Sequence, residues 1–241
     1  MHGFGCGLSS AAYHDGANDL DALVDLAQSP NVRVVYLANP DNPTGTWHSA
    51  ADIQAFAANL PDHCVFILDE AYAEFAPEDA LPPIHPIHPR VIRMRTFSKA
   101  HGMAGARVGY AICSSEISNG LDKIRLHFGV NRIAQVGAAA SLTDQDFVKD
   151  VVTRVEEGRH DYVALGEELG LPTLTSATNF VTFDSGSGER ADAILDRLIE
   201  RRVFVRKPRV EPLDRYFRVT VGRPEERAVF AERLREIVRA E

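Results

Sequence analysis

Three short apolar runs in the first half of the chain constrain the fold most, because each ends abruptly in a polar or turn-forming motif. They lie at residues 32–37, 65–68 and 91–94, and each is typical of a β-strand. Between the first two, residues 49–52 (Ser-Ala-Ala-Asp) resemble a capping box and predict a helix that extends to about residue 59. Strand–helix–strand order predicts parallel pairing with right-handed crossovers, and therefore an α/β sheet.

The first motif follows the run at 32–37 and occupies residues 39–45 (Asn-Pro-Asp-Asn-Pro-Thr-Gly). Two prolines and a glycine so close together cannot continue a strand, so the chain is predicted to turn sharply there. In an open parallel sheet, ligands bind at the carboxyl ends of the strands, where this turn is expected. Taken alone, the motif is more typical of a turn in which Asn and Asp satisfy the backbone.

The second motif places Asp69, Glu70 and Tyr72 directly after the run at 65–68. A carboxylate at the tip of a buried strand is costly unless it meets a cation or several hydrogen-bond donors. A magnesium site in a nucleotide-binding protein also ends a strand in Asp-Glu. The phosphate-binding sequence Gly-x-x-x-x-Gly-Lys-Ser/Thr occurs nowhere in the chain, however, so the sequence argues against that site.

The third motif places Lys99 in a loop of small residues that spans 95–107, with Ser98 on one side and Arg107 further along. A lysine that attacks a carbonyl must spend part of its time as the free amine. Nearby cations and partial desolvation favour that form. For a single lysine after a strand, ordinary solvent exposure is the simpler interpretation, and only the combination with the two upstream motifs favours the reactive one.

Together and in this order, the three motifs resemble the pyridoxal-phosphate enzymes of fold type I, and more narrowly the class I/II aminotransferases and their histidinol-phosphate aminotransferase branch. The resemblance extends from about residue 19 to the C-terminus. It implies an α/β fold, with an incomplete, mainly parallel sheet, flanking helices and a small C-terminal α+β domain. The implied domains are 1–145, which binds the cofactor and is incomplete at its N-terminus, and 146–241.

The resemblance also implies roles for individual residues. Lys99 would bond to the aldehyde of pyridoxal 5'-phosphate and later move a proton between the substrate Cα and the cofactor C4′. Asp69 would pair with the protonated ring nitrogen, while Asn42 and Tyr72 would hydrogen-bond the phenolic oxygen. The remaining cofactor contacts, all to the phosphate, would come from Ser98 and Arg107, with Thr96 as a further candidate.

Substrate contacts are implied for Arg218, which would grip an α-carboxylate, for Arg206, which would hold a substrate phosphate, and for Asn179. An arginine in a short amphipathic strand is more often simply solvated, and other cations crowd Arg206. The pair favours a phosphorylated substrate such as histidinol phosphate, in a reaction that moves an amino group between an amino acid and a 2-oxo acid. Aromatic aminotransferases and threonine-phosphate decarboxylase share the core motifs, so these alternatives stay open.

The second half of the chain alternates helical and extended patterns. Residues 146–169 are predicted to form a long helix, in which Gly158 favours a kink or break. Short strands are predicted there near 180–183, 203–205 and 217–221, with helices at 191–201 and 225–239. A strand near 108–113 is predicted to be the fourth strand of the first sheet.

Composition narrows the function classes. The formal net charge of −8 argues against a nucleic-acid surface, and no apolar stretch approaches the ~20 residues of a membrane span. The three cysteines lack metal-ligand spacing and predict reduced core residues in a cytoplasmic protein. His85 and His88 lie in a proline-rich connector, which is a poor metal site.

The resemblance also implies a longer N-terminal segment in family members, which supplies part of the sheet, part of the phosphate site and an aromatic residue that stacks on the ring. His2 or Phe4 is a candidate remnant of that aromatic residue. A chain without this segment is expected to retain cofactor weakly and to be poorly soluble. Two function classes follow: an aminotransferase, expected as a homodimer, or a catalytically silent fragment or pseudoenzyme.

Overall fold

The computed structural model describes residues 5–241, so His2 and Phe4 lie outside the described part. Its main sheet has four strands, which lie side by side in the order in which they occur in the chain. The first three strands are parallel and the last is antiparallel. In chain order, the elements of this half are β1 (Tyr13–His14), β2 (Ala17–Asn18), α1 (Leu20–Ala27), β3 (Val34–Ala38), α2 (Ala50–Asn59), β4 (Val65–Asp69), β5 (Val91–Thr96) and β6 (Gly109–Ile112).

All four strands predicted for this sheet are present, as is the helix between the first two. The side chain of Ser49 accepts from the Asp52 amide and forms the predicted capping box. The pairing is parallel where a longer crossover connects the strands, as between β3 and β4 around α2. It is antiparallel between β5 and β6, which are joined by the Lys99 loop without a crossover helix.

Helices cover one face of the main sheet and leave the other exposed. Val35 and Leu37 of β3 point to one face and are buried beneath α1 and α2, together with Phe66 and Leu68 of β4. Tyr36 of β3 points to the opposite face and is exposed, because side chains alternate along a strand. The second face carries the candidate site at its carboxyl edge.

The second half begins with three helices and continues as a small antiparallel sheet. Its elements are α3 (Ser115–Asp122), α4 (Arg132–Thr143), α5 (Gln145–Leu169), β7 (Phe180–Asp184), α6 (Gly188–Glu200), β8 (Tyr216–Thr220) and α7 (Pro224–Val238). Phe183 of β7 and Phe217 of β8 stack with ring centroids 5.2 Å apart. Helices α5, α6 and α7 pack over these rings and complete a second core.

A kink or break was predicted at Gly158, and the break is absent, because α5 runs without interruption from Gln145 to Leu169. A Cβ on Gly158 would clash with Cγ1 of Val221 and approach Cδ of Arg227 to 3.0 Å. The glycine therefore permits close packing. Helix α5 contributes side chains both to the core of the small sheet and to a cluster around Tyr72, and the division into domains 1–145 and 146–241 stays a prediction.

Two further predictions need correction. Residues 203–205 form no strand; the segment reaches β8 through a single bridge between Arg206 and Arg218, and Pro208 cannot donate a ladder hydrogen bond soon after it. Cys64 lies in the core as predicted, but Cys113 is only half-buried just after the edge strand β6, and Cys6 is exposed before the first element.

Among residues 5–241, no helix combines the length and apolar character that crossing a bilayer requires.

Candidate active site

The turn after β3 is built around the buried carboxylate of Asp41. This carboxylate accepts hydrogen bonds from the Tyr13 hydroxyl at 3.2 Å, from Asn18 at 3.0 Å and from the Thr44 hydroxyl at 2.8 Å. Asp41 also accepts from the Thr44 amide at 3.2 Å, as the predicted turn requires, but its donors from the hairpin β1–β2 had no sequence signal. Because Asp41 fixes the turn from inside, Asn42 is held exposed at its tip.

The same turn also touches the second half of the chain. Gly45 has a φ of 86°, and a Cβ there would lie 2.6 Å from the Ser176 hydroxyl. The Thr182 hydroxyl of β7 donates to the Pro43 carbonyl at 2.7 Å. A glycine is therefore required for both the backbone conformation and the close approach.

Asp69 ends β4 on the exposed face of the sheet. Its Oδ2 accepts a hydrogen bond from the Tyr36 hydroxyl at 2.7 Å, and its Oδ1 accepts from the Ala71 amide at 3.0 Å. Each oxygen thus has one donor, and the carboxylate keeps lone pairs for a further cationic partner.

Glu70 is paired differently from Asp69. Its buried carboxylate accepts from Arg93 at 2.6 and 2.9 Å and from Arg95 at 3.0 Å, both on the neighbouring strand β5. Burial acts to lower the pKa of Arg95, but the Glu70 carboxylate outweighs it and holds that pKa above its usual value. Glu70 is therefore committed to two guanidinium groups, as a buried carboxylate requires.

Lys99 and Tyr72 meet beside the carboxyl edge of the sheet. The Lys99 ammonium lies over the Tyr72 ring, 5.0 Å from its centroid. Tyr72 is buried and makes an edge-to-face contact with Phe180 of β7, with centroids 5.5 Å apart. The lysine thus makes a cation–π contact with a buried ring.

The loop that carries Lys99 also brings several hydrogen-bond donors close together. The Ser98 amide donates to the Thr96 hydroxyl at 3.1 Å, and the Arg107 guanidinium lies 3.4 Å from the Ser98 hydroxyl. Arg107 adopts a left-handed conformation with φ 54° and also donates to the Ala104 carbonyl. A guanidinium beside a hydroxyl is a donor set suited to a phosphate.

Arg218 reaches this site from β8. Its guanidinium lies over the Phe180 ring, 4.8 Å from the centroid, and donates to the side-chain oxygen of Asn42. Burial, and then the nearby charge of Arg206, lower the pKa of Arg218, although Tyr72 acts in the opposite direction. A partly desolvated guanidinium of this kind favours an anionic ligand.

The other two predicted substrate residues, Arg206 and Asn179, contact β8 and the residue after it through their main chains. Arg206 is exposed and meets Arg218 through main-chain hydrogen bonds between the two residues. Asn179 takes part through its main-chain carbonyl, which accepts from the Val221 amide at 2.9 Å. The structure therefore places Arg206 beside Arg218 but gives Asn179 a backbone role.

A further polar cluster beside the lysine loop had no sequence signal. His101 Nδ1 is hydrogen-bonded to the Ser141 hydroxyl at 2.8 Å, and its Nε2 lies 3.7 Å from Oε1 of Glu74. Within the described residues, Oε2 of Glu74 is buried without a hydrogen-bond partner. Burial raises the pKa of the Glu74 carboxyl above its usual range.

The chemistry of this donor set fits a pyridoxal phosphate. A carboxylate with spare lone pairs, an amine beside a tyrosine, and a guanidinium beside a hydroxyl are complementary to a ring nitrogen, an aldehyde and a phosphate, respectively. The residues concerned are Asp69, Lys99, Tyr72, Arg107 and Ser98.

Comparison with known proteins agrees with this chemistry. The sequence profile of the family described as aminotransferase class I and II matches residues 5–234. Histidinol-phosphate aminotransferase 2 of Methylococcus capsulatus is 38% identical over 234 residues, which cover 92% of this chain and 61% of that protein. Histidinol-phosphate aminotransferase of Bacillus velezensis is 35% identical over 227 residues, which cover 93% and 62%.

A solved structure gives the same result. The crystal structure of histidinol-phosphate aminotransferase from Sinorhizobium meliloti, in complex with pyridoxal-5'-phosphate, superposes with a TM-score of 0.94 at 43% identity. The match covers 97% of this chain and 65% of that one. The chain thus spans somewhat less than two thirds of the length of these relatives.

Proposed function

The chain belongs to the class I and II aminotransferase family, and from that membership we propose that it binds pyridoxal 5'-phosphate and acts in transamination. The observation that carries the proposal is the position of the Lys99 ammonium over the buried Tyr72 ring. Two further features support it: Asp69 lies three residues before Tyr72, and Ser98 and Arg107 form a donor pair on the lysine loop. When bound, pyridoxal phosphate supplies a reactive carbonyl and a ring that accepts electrons.

In this proposal, each residue has a defined task. Lys99 Nζ would hold the cofactor through its aldehyde and, once the substrate amine has displaced it, would accept the proton from the substrate Cα as a free amine. Asp69 would hold the proton at the ring nitrogen, while Tyr72 and Asn42 would donate to the ring oxygen. Arg107 and Ser98 would bind the phosphate, with the Thr96 hydroxyl orienting the Ser98 amide.

We propose an amino phosphate, such as histidinol phosphate, as one substrate and an amino acid with its 2-oxo acid as the other. Arg218 is partly desolvated and suited to an α-carboxylate, and the neighbouring Arg206 remains exposed for a phosphate. Two guanidinium groups side by side would repel each other, and a dianionic ligand between them would relieve that repulsion. Asn179 stays a candidate for a substrate contact.

The test is a titration of the purified chain with pyridoxal phosphate, followed by absorbance. The unchanged chain should give a visible band that is absent from Lys99→Ala. Lys149→Ala, which removes an exposed lysine on α5, is the matched control and should keep the band. A band that is equal in all three proteins would contradict the proposal.

The second step of the test identifies the reaction. Adding L-glutamate or histidinol phosphate should bleach the band and release the corresponding oxo compound. Release of carbon dioxide would instead indicate a decarboxylase. A Lys99-dependent band that no amino donor changes would favour the catalytically silent alternative.

We further propose that the protein is cytoplasmic and acts in amino-acid biosynthesis as a homodimer. Support for self-association comes from apolar side chains that are strongly exposed on and between α3 and α4, including Phe128, which is 98% exposed. Sedimentation equilibrium of the chain with cofactor would test this proposal.

A further inference from the structure

Tyr36 and Asp69 are diagonal neighbours on the exposed face of the main sheet. Tyr36 of β3 pairs in register with Ile67 of β4, and Asp69 lies two residues further along the same face. This spacing lets the Tyr36 hydroxyl reach Oδ2 of Asp69 at 2.7 Å. No motif on β3 itself marks the tyrosine, because the first motif begins only after the strand.

The hydrogen bond fixes the plane of the Asp69 carboxylate. The Ala71 amide already holds Oδ1 at 3.0 Å, and a carboxylate with only that donor could rotate about its last side-chain bond. With Tyr36 on Oδ2, one oxygen is held from β3 and the other from the turn that follows β4. About two of the four lone-pair sites remain for a third donor, such as a ring N–H.

Tyr36 is a persistent donor. Partial burial, and then the hydrogen bond and charge of Asp69, raise the pKa of the Tyr36 hydroxyl well above its usual value. The other titratable groups that act on it, Asp41 and Tyr72, raise the pKa of the Tyr36 hydroxyl as well. The hydroxyl therefore keeps its proton throughout the neutral range.

Resting on the proposed function, we propose that Tyr36 is a positioning residue that aims the Asp69 carboxylate at the ring nitrogen of the cofactor. Its hydroxyl makes no contact with the substrate in this scheme and acts only through Asp69. Removal of the Tyr36 hydroxyl should therefore weaken binding only of a cofactor that carries the ring nitrogen.

The experiment compares two ligands on the full chain. Dissociation constants are measured for pyridoxal phosphate and for its carbocyclic analogue, in which CH replaces the ring nitrogen. Tyr36→Phe should weaken pyridoxal phosphate roughly three- to tenfold, the effect expected for one lost hydrogen bond, and should leave the analogue unchanged. Tyr36 is 53% exposed, so the removal of its hydroxyl should leave the fold intact.

Two controls make the result specific. Tyr13→Phe removes a hydroxyl that also donates to a carboxylate, that of Asp41, and should leave the ratio of the two dissociation constants unchanged. In Asp69→Asn, adding Tyr36→Phe should have no further effect on that ratio, because the two residues act as one unit.

The outcomes separate the two hypotheses. The ratio of the two dissociation constants would stay unchanged if Tyr36→Phe weakened both ligands equally or weakened neither. Either result would overturn the positioning role, while the Lys99-dependent band would still support the proposed function. Absence of that band from the unchanged chain would overturn the proposed function, and this inference with it.

Discussion

The guanidinium of Arg218 donates a hydrogen bond to the side-chain oxygen of Asn42, a residue 176 positions earlier in the chain. Asn42 stands at the tip of the turn after β3, and Arg218 lies in the middle of β8. The hydroxyl of Thr182 on β7 joins the same turn through the Pro43 carbonyl. The small sheet therefore brings a guanidinium directly against the carboxyl edge of the large one.

This contact predicts that Arg218→Lys will weaken binding of a carboxylate-bearing amino donor. A lysine keeps the charge but cannot bond to Asn42 and a carboxylate in a planar, forked arrangement. We expect the KM for L-glutamate to rise about tenfold, which corresponds to one lost charge-assisted hydrogen bond. Arg215→Lys is the control, because Arg215 pairs with Asp184 at 2.7 Å instead. Equal effects from both variants would contradict the assignment.

The buried group of Glu70, Arg93 and Arg95 predicts a large loss of stability in Glu70→Gln. The neutral amide would leave two largely buried guanidinium groups without their counter-charge. The free energy of unfolding in urea should fall by about 3 kcal/mol or more. Glu168→Gln breaks an exposed pair with Arg235 and should change it little. A similar small change in both variants would show that the buried group is dispensable.

Two glycines in helices predict opposite responses to alanine. Gly158→Ala should destabilise the protein by about 1–3 kcal/mol, since the added methyl group would collide with Val221. Gly120→Ala on α3 meets no atom within 4 Å and should stabilise it by up to ~1 kcal/mol, the difference in helix propensity. Thermal unfolding of both variants tests this, and stabilisation by Gly158→Ala would contradict the packing argument.

The sequence predicted the main strands, because their apolar runs end in motifs that cannot continue a strand. It also predicted Lys99, Tyr72, Asp69 and Arg218 as site residues, although their roles stay predictions. What it missed were partners from distant elements, such as Tyr36 for Asp69. A single sequence shows which residues are polar but not which strands pair.

Two misses had signals that physical reasoning can use. Arg93 shares the buried face of β5 with Val91, and an arginine at such a position predicts a buried carboxylate nearby. Gly158 lies in an otherwise regular helical pattern with no turn-forming neighbour. Such a glycine indicates close packing as readily as a kink.

Glu74 predicts a pH dependence of stability with a definite sign. Burial raises the pKa of its carboxyl above the ordinary value of 4.5, although a backbone hydrogen bond and the charges of His101 and Arg95 partly oppose this. The folded chain therefore holds the proton more tightly than the unfolded chain does. The stability that this group contributes is fully present below about pH 4.5 and is lost as the pH rises through the folded pKa.

The variant Glu74→Gln isolates this effect, because the amide does not titrate. The free energy of unfolding of the unchanged chain minus that of the variant should fall as the pH rises from 4 to 7.5, as measured by urea unfolding. Glu168→Gln provides a control of opposite sign. The hydrogen bond from Arg235 lowers the pKa of Glu168, so the corresponding difference should rise with pH. If the Glu74 difference also rises with pH, then the backbone hydrogen bond, His101 and Arg95 together outweigh burial and the assignment is wrong.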